Sequence, residues 1–142
     1  MRVLTNSNVT LGRNGGVLAV AGVTDEAAPS FGMDGPNLDI ALQGLDRGLP
    51  VILLKHRPIG SSLSAAKGVG LQLSGHTHGG MIKGLDLIGQ YANGGFVSGM
   101  YQVGAMKLYV SNGTALWNGF PIRLGVPSEI TEFVLRARPS AQ

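Results

Sequence analysis

Residues 51–80 read VILLKHRPIGSSLSAAKGVGLQLSGHTHGG, and this stretch contains two short, mostly apolar runs that each lead into a histidine motif. The first run is Val51-Ile52-Leu53-Leu54, and the second is Leu71-Gln72-Leu73. Short runs of this kind, bounded by turn residues, are typical of strands buried in a parallel sheet. Ser62 to Lys67 is predicted to form a short helix between them. The order strand, helix, strand predicts parallel neighbours in one sheet.

The residues before position 51 predict a hairpin followed by a helix. Val9 to Leu11 is expected to pair with Val17 to Gly22 across Arg13-Asn14-Gly15-Gly16, where Asn-Gly supplies the positive φ angles of a tight turn. Pro36 to Leu45 is predicted to be helical, because proline fits a first turn and the apolar residues recur at three- and four-residue spacing. Together with residues 51–80, these segments predict a βαβαβ unit.

The residues after Gly80 carry no helical pattern and predict short strands separated by loops rich in Gly and Asn. The three expected strands are Val97 to Met100, Met106 to Ser111 and Ile130 to Arg136, forming an antiparallel extension. The predicted fold class is therefore α/β (α+β), and the chain, residues 1–142, is expected to form one domain.

The composition excludes several classes of protein. The chain is 44% apolar and only 13% charged, which argues against disorder and against a coiled coil. No apolar run approaches the roughly 20 residues that cross a bilayer, so no membrane span is predicted, and the N-terminal residues lack the apolar block of a secretion signal. The sequence has no cysteine, which excludes a disulfide, a thiolate zinc site and a cysteine nucleophile, and we expect a cytoplasmic location.

The charge favours a small anionic ligand over a nucleic acid. Eleven Lys and Arg residues against eight Asp and Glu residues give a formal net charge of +3. The basic residues are scattered from Arg2 to Arg138 and do not form a patch interleaved with aromatic residues. We therefore expect no nucleic-acid partner.

All three histidines, His56, His76 and His78, immediately follow predicted strands. Ligands of open α/β sheets bind beyond the carboxyl ends of parallel strands, so the three imidazoles are expected to converge on one divalent ion. Asp25, which follows the strand ending at Gly22, is a candidate fourth ligand. The alternatives are an exposed histidine at a strand end, a glycine-rich turn with two exposed histidines, and, for Asp25, a cap of the following turn.

Four segments resemble the calcineurin-like metallophosphoesterases, and most closely the bacterial branch of membrane-associated phosphohydrolases. Gly75-His76-Thr77-His78-Gly79-Gly80 is similar to the last motif of that family, and residues 51–58, VILLKHRP, are similar to the preceding strand-plus-histidine motif. Gly22-Val23-Thr24-Asp25 and residues 121–130, PIRLGVPSEI, resemble it as well. The Asp-x-His, Gly-Asp and Gly-Asn-His motifs of the N-terminal half of the family are absent from this sequence. The resemblance therefore covers the C-terminal half, and implies half of a two-sheet sandwich flanked by helices.

The resemblance implies a metal-dependent hydrolase of phosphodiesters or activated monoesters, with a metal-bound water as the nucleophile. In the family pattern, His56 and His76 ligate one metal and His78 the other. Because the aspartate that bridges two metals is absent, we expect one Zn, Mn or Fe ion held by the three histidines, which form the catalytic set, and completed by Asp25 or by a partner chain. Lys55, Arg57 and Asn112 are candidate contacts of a small phosphate-ester substrate. The alternative for Lys55 and Arg57, which the sequence favours, is that both are solvated cations of a loop.

The remaining expectations concern partners, individual loop residues and an alternative function. A half-sandwich exposes an apolar sheet face, so we expect a homodimer or a higher homo-oligomer. Arg123 is expected to be structural and Thr114 is left open, whereas Trp117 and Phe120 either wall a substrate pocket or pack in a core. The alternative function is a non-catalytic metal-binding or oligomeric remnant of such an enzyme.

Overall fold

The N-terminal hairpin forms as predicted. In the computed structural model, which describes residues 2–84, 86–116 and 121–136, strand β1 (Ser7–Arg13) pairs antiparallel with β2 (Gly16–Gly22). The register brings Arg13 opposite Gly16, and the two residues between them, Asn14 and Gly15, have φ angles of 50° and 78°. These positive angles are those of a two-residue turn whose twist matches that of the flanking strands.

Parallel strands form the centre of a six-stranded sheet, which confirms the α/β class. β3 (Val51–Leu54), β4 (Leu71–Ser74), β5 (Gly99–Val103) and β6 (Met106–Val110) join the hairpin in the order β1-β2-β3-β4-β6-β5. β2, β3, β4 and β6 run parallel, and β1 and β5 are antiparallel to their neighbours. The expected antiparallel extension is therefore wrong for β6, because β6 pairs with β4 and continues the parallel set.

Two short helices connect the parallel strands. α1 (Leu38–Leu42) begins after Asn37, whose side chain accepts a hydrogen bond of 3.0 Å from the Ile40 N–H and so caps the first turn. α1 is shorter than the predicted 36–45 segment. α2 (Ser61–Ala66) lies close to the predicted position between β3 and β4.

One face of the sheet is buried under these helices. Ala21, Leu53, Gln72 and Leu108 lie side by side in the register across β2, β3, β4 and β6, and all are fully buried. Residues of α1 and α2 pack against the same core. The buried Gln72 side chain donates a hydrogen bond of 3.0 Å to the Ser74 hydroxyl.

The opposite face of the sheet is also apolar but is less well covered. Val20, Ile52 and Leu71 form one row across β2, β3 and β4, and Leu54 and Leu73 form part of the next row. Val20, Ile52, Leu71 and Leu73 are only half-buried, and Leu54 is 41% exposed. We name Val20, Ile52, Leu54, Leu71 and Leu73 the open sheet face.

The structure differs from two further expectations in the C-terminal half. A third helix, α3 (Asp86–Ala92), was not expected, and all of its described residues are at least partly exposed. The expected strand at 130–136 does not form. This segment is instead attached through side chains, since the Phe133 ring packs edge-on against Tyr109 at a centroid distance of 5.0 Å. Among the described residues, no helix is long and apolar enough to span a bilayer.

Candidate metal centre

Three of the predicted site residues follow the carboxyl ends of adjacent parallel strands. Asp25 comes shortly after β2, His56 after β3 and His76 after β4, and β3 lies between the other two strands. A hydrogen bond of 2.9 Å from the Gly75 N–H to the His56 carbonyl continues the pairing beyond the strand ends. The three side chains therefore meet at one edge of the sheet, where loops of parallel sheets bind ligands.

His56 and His76 form a close pair. The Nε2 atom of His56 lies 3.3 Å from the Nδ1 atom of His76, and the ring planes are inclined by 76°. Burial, together with the positive charges of Arg57 and His56, lowers the pKa of His76, and the nearby carboxylates only partly oppose this shift. The neutral imidazole, which is the form that ligates metals, is therefore favoured at neutral pH.

Asp25 caps the following turn, as one of its two expected roles predicted, and lies beside His56. Its Oδ1 atom accepts a hydrogen bond of 2.7 Å from the Ala27 N–H and so caps the turn, while its Oδ2 atom lies 4.0 Å from His56 Nε2. Burial by itself raises the pKa of Asp25, but the Ala27 hydrogen bond and the charge of Arg57 outweigh it and the pKa lies below its usual value. Asp25 is therefore a carboxylate at neutral pH.

The two cations predicted to bind substrate are held by carboxylates. The Lys55 ammonium forms an ion pair with Glu26, a residue that the sequence analysis missed although it directly follows Asp25. The Nε atom of Arg57 lies 3.5 Å from Asp25 Oδ1 and 3.9 Å from Glu26 Oε2. With two carboxylates and two cations, the cluster is electrically neutral when both histidines are neutral.

Several polar atoms of this cluster are buried without a hydrogen-bond partner in the described protein. They are the Thr24 hydroxyl, Asp25 Oδ2, Glu26 Oε2 and Arg57 Nε. Three of these atoms lie in the ion pairs described above, at 3.5–4.0 Å, and such a concentration of buried polar atoms without hydrogen bonds is typical of a place that holds water, an ion or another ligand. We name this cluster the His56 corner; its members are Thr24, Asp25, Glu26, Lys55, His56, Arg57 and His76.

His78 does not join this pair, contrary to the expected convergence of three imidazoles. His76 and His78 have φ angles of 71° and 50°, whereas Thr77 between them is right-handed, so the backbone reverses its course from one histidine to the next. The Nδ1 atom of His78 lies 3.2 Å from the Ala115 carbonyl and 3.3 Å from Arg123 Nη2. His78 is thus engaged by a second group of residues.

Arg123 is the centre of that second group. Its Nη2 atom donates hydrogen bonds of 2.7 Å to the carbonyls of Asn112 and Ala115, and its Nη1 atom donates one of 3.2 Å to the His78 carbonyl. Arg123 therefore ties three loop carbonyls together, which agrees with the structural role expected for it.

Asn112, the third candidate substrate contact, is buried inside the same group. Its Oδ1 atom accepts a hydrogen bond of 2.7 Å from the Ser98 hydroxyl, and its N–H and Nδ2 donate to the two carboxylate oxygens of Glu129 at 3.1 and 3.3 Å. With its amide so engaged, Asn112 holds its loop and is not free to contact a substrate. We name the group formed by Arg123, Asn112, Glu129 and His78 the Arg123 network.

Three further candidates from the sequence are Thr114, Trp117 and Phe120. Thr114 is exposed. Trp117 and Phe120, which were considered as pocket walls, lie outside the described residues.

Three curated proteins that resemble this chain have metallophosphoesterase in their names. An uncharacterized metallophosphoesterase of Helicobacter pylori is 37% identical over 144 residues, which are 100% of this chain and 37% of that protein. A second, from Campylobacter jejuni, is 36% identical over 97% of this chain and 36% of its own length. A transmembrane protein with metallophosphoesterase domain from Bos taurus is 38% identical over 96% of this chain and 33% of its own length.

This chain is a relative of the metallophosphoesterases. The resemblance to the calcineurin-like family is thereby confirmed. The chain spans about a third of the length of these curated relatives, which is consistent with a match to the C-terminal part of their domain. No protein-family model matches the chain, and no solved structure matches it.

The metal chemistry that the family name implies can be compared with the residues of the His56 corner. In a tetrahedral site with metal–nitrogen bonds of about 2.0–2.1 Å, two imidazole nitrogens lie about 3.3–3.4 Å apart. His56 Nε2 and His76 Nδ1 are 3.3 Å apart, and the unpaired Oδ2 of Asp25 is beside them. These donors fit a divalent ion, although no three His, Asp or Glu side chains of the described residues are already arranged to hold one.

Proposed function

We propose that this chain takes part in the metal-dependent hydrolysis of phosphate esters, either phosphodiesters or activated monoesters, at the His56 corner. The observation that carries the proposal is the pair of imidazole nitrogens 3.3 Å apart at the carboxyl edge of a parallel sheet. The names of the relatives support the same class of reaction.

His56, His76 and Asp25 are the proposed ligands of one divalent ion. Imidazole together with carboxylate suits zinc, iron or manganese. When bound, such an ion activates water and polarises a phosphoryl oxygen. We leave His78 out of this ligand set, because its contacts among the described residues are with Arg123 and Ala115 and not with the His56–His76 pair.

Arg57 is the proposed contact for the phosphate group. Its side chain is only partly buried and lines the cavity beside the two histidines, so the guanidinium can donate to an anionic oxygen. Lys55 contributes less, because its ammonium is already paired with Glu26. The neutral charge balance of the His56 corner means that attraction of an anion depends on the bound cation as well.

We further propose that two copies of the chain pack through the open sheet face. The five residues of this face carry no charge, and Lys107 of β6 continues their row beside Leu71 at its margin. Light scattering at micromolar concentration should give at least twice the mass of one chain. Leu54→Lys should shift the mass to that of a monomer, whereas Leu63→Lys, at an exposed position on α2, should not. A wild-type monomer contradicts this part of the proposal.

Hydrolysis of bis(p-nitrophenyl) phosphate and of p-nitrophenyl phosphate tests the proposed reaction. Activity should require added Mn²⁺ or Zn²⁺ and should be lost with a chelator. His76→Ala should reduce both activity and bound metal by more than the roughly 10–100-fold typical of outer-shell substitutions, and His78→Ala should reduce them less.

Three results would contradict parts of this proposal. Activity that ignores both the chelator and His76→Ala excludes the reaction at the His56 corner. Bound metal without turnover leaves a non-catalytic metal-binding protein. Equal losses in His76→Ala and His78→Ala contradict the ligand set.

A cytoplasmic location is also part of the proposal, and fractionation of cells that express a tagged chain tests it.

A further inference from the structure

A cavity of about 600 Å³ opens beside the His56 corner. This volume lies within the range of roughly 300–1,000 Å³ that is typical of small-molecule sites, and it exceeds what a phosphate group alone fills. One end of the cavity is polar and is formed by Thr24, Asp25, His56, Arg57 and His76. The wall away from these residues is mainly apolar.

Three large apolar side chains of this wall are strongly exposed. Phe31 is 77%, Val3 74% and Met33 57% exposed, and all three line the cavity next to the more deeply placed Leu4 and Val23. Single exposed apolar residues are common on protein surfaces, but three at the wall of one cavity form a patch that a ligand can cover.

Backbone hydrogen bonds fix this apolar wall. Phe31 ends the 3₁₀ turn Ala28–Phe31, and the N–H groups of Gly32 and Met33 both donate back into that turn at 3.1 Å. The left-handed φ of 71° at Gly32 reverses the chain between Phe31 and Met33. The wall is therefore ordered locally before a ligand binds.

Asn6 joins the three segments that surround the cavity. Its Oδ1 atom accepts hydrogen bonds from the Thr24 N–H at 3.3 Å and the Asn37 N–H at 2.9 Å, and its Nδ2 donates to the Gly35 carbonyl at 2.9 Å. The N-terminal segment, the loop after β2 and the loop before α1 are thus held together by one side chain. A preformed cavity of this kind binds a ligand with less loss of conformational freedom.

We infer that the site takes phosphate esters that carry an apolar substituent, with the phosphate at the His56 corner and the substituent against Phe31, Met33, Leu4 and Val23. This inference rests on the proposed function and names its substrate class. Thr24 and Arg57 both line the cavity and carry donor groups for the phosphate oxygens. Each methylene that is fully buried should tighten binding about fourfold, and each half-buried one about twofold.

A series of p-nitrophenyl alkyl phosphodiesters tests the inference. The methyl, butyl, hexyl and octyl esters should give kcat/KM values that rise about twofold to fourfold per methylene until the cavity is filled. Phe31→Ala combined with Met33→Ala should flatten this rise. Leu63→Ala, which removes an exposed apolar side chain outside the cavity lining, should keep the full rise.

A binding measurement separates this inference from the proposed reaction. Calorimetry with butyl- and octylphosphonic acid, with and without Mn²⁺ or Zn²⁺, should show tighter binding of the octyl compound to the wild-type chain. The preference should disappear in the Phe31→Ala, Met33→Ala double variant. Hydrolysis of all esters with no dependence on chain length overturns the inference and leaves the proposed function standing. Preference for octylphosphonic acid without hydrolysis supports the inference and overturns the reaction. Equal binding of both acids overturns the inference whether or not the esters are cleaved.

Discussion

The His56 corner and the Arg123 network lie at the same edge of the sheet, yet they differ in how many of their buried polar atoms make hydrogen bonds. In the Arg123 network, the guanidinium, the Asn112 amide and the Glu129 carboxylate all make hydrogen bonds, and Arg123 Nε is the one buried side-chain atom among these three described residues without a partner. In the His56 corner, four buried atoms have none. An unpaired buried polar atom costs about 1–3 kcal/mol, so we infer that the first group stabilises the fold and that the second keeps its polar atoms available for a ligand.

Gly79→Ala should give the largest loss of stability, because the added methyl group collides with Asn112, a member of the Arg123 network. Gly79 is buried, has a φ of 65°, and a Cβ atom there would clash with Asn112 Oδ1 and Val126. Left-handed strain of about 1–2 kcal/mol and overpacking of about 1–3 kcal/mol predict a total loss of about 2–5 kcal/mol in urea unfolding.

Gly113→Ala is the matched control for this prediction. Gly113 has a similar φ of 67°, but nothing lies within 4 Å of its would-be Cβ atom. Its substitution should cost only the strain of about 1–2 kcal/mol. Equal losses in the two variants would mean that Asn112 adjusts freely, and that the Arg123 network is less rigid than its hydrogen bonds indicate.

Arg123→Ala should have the next largest effect. The substitution leaves the carbonyls of His78, Asn112 and Ala115 without their charged donor. Hydrogen bonds to a charged group contribute about 1.5–3 kcal/mol, and since the loop is partly exposed water replaces some of them, so we expect a loss of about 2–3 kcal/mol in urea unfolding.

Arg47→Ala provides the comparison for an exposed cation. Arg47 lies in the exposed loop before β3, and its removal should change the free energy of unfolding by less than about 0.5 kcal/mol. A loss below about 1 kcal/mol in Arg123→Ala would show that the contrast between the two regions is not one of stability.

The central fold was predictable because its signals are local. Val51–Leu54 and the Asn14-Gly15 turn are specified by their own residues, and the structure has both at the predicted positions. α3 was missed because Gly89 interrupts it and because its apolar residues, Leu87, Ile88 and Tyr91, are exposed and give no buried stripe. The expected strand at 130–136 was wrong because the attachment of this segment depends on Tyr109, which is distant in sequence.

The location of the candidate site could be predicted from the sequence, but the set of residues that meet there could not. The position of a histidine after a strand indicates which edge of the sheet it occupies, and His56 and His76 meet there. The separation of His78 from this pair goes with positive φ angles at both His76 and His78. Residues other than glycine adopt such angles only in a few per cent of cases. The engagement of His78 by Arg123 spans 45 residues of sequence and leaves no local signal.

Because of Glu129, the stability of the Arg123 network should decrease as the solution becomes acidic. Burial by itself raises the pKa of Glu129, but hydrogen bonds from the Tyr109 hydroxyl and the Asn112 N–H outweigh it and hold the pKa below the usual 4.5. The unfolded chain therefore binds this proton more readily than the folded chain. The stabilisation is fully present above the usual pKa and is lost as the pH falls through the pKa of the folded state.

Urea unfolding of the wild type and Glu129→Gln at pH 7 and at successively lower pH values measures this contribution. At pH 7 the variant should be less stable by about 1–2 kcal/mol, and the difference should shrink as the pH falls below 4.5. Glu132→Gln, at an exposed neighbouring position, should leave the wild-type pH profile unchanged. A difference that stays constant with pH would show that Glu129 acts by packing and not by its charge.

Thr24→Val should give the smallest effect and the opposite sign. The Thr24 hydroxyl is buried without a partner, so removing it should raise the free energy of unfolding by about 0.5–1 kcal/mol. The hydroxyl of Thr77 instead donates to the Val97 carbonyl at 2.6 Å, so Thr77→Val should lower stability by about 1–2 kcal/mol. If Thr24→Val also weakens the binding of octylphosphonic acid, then the group that costs stability is the group that binds the anion, which is the trade-off expected of a ligand site. A loss of stability in Thr24→Val equal to that in Thr77→Val would instead assign both hydroxyls to the fold.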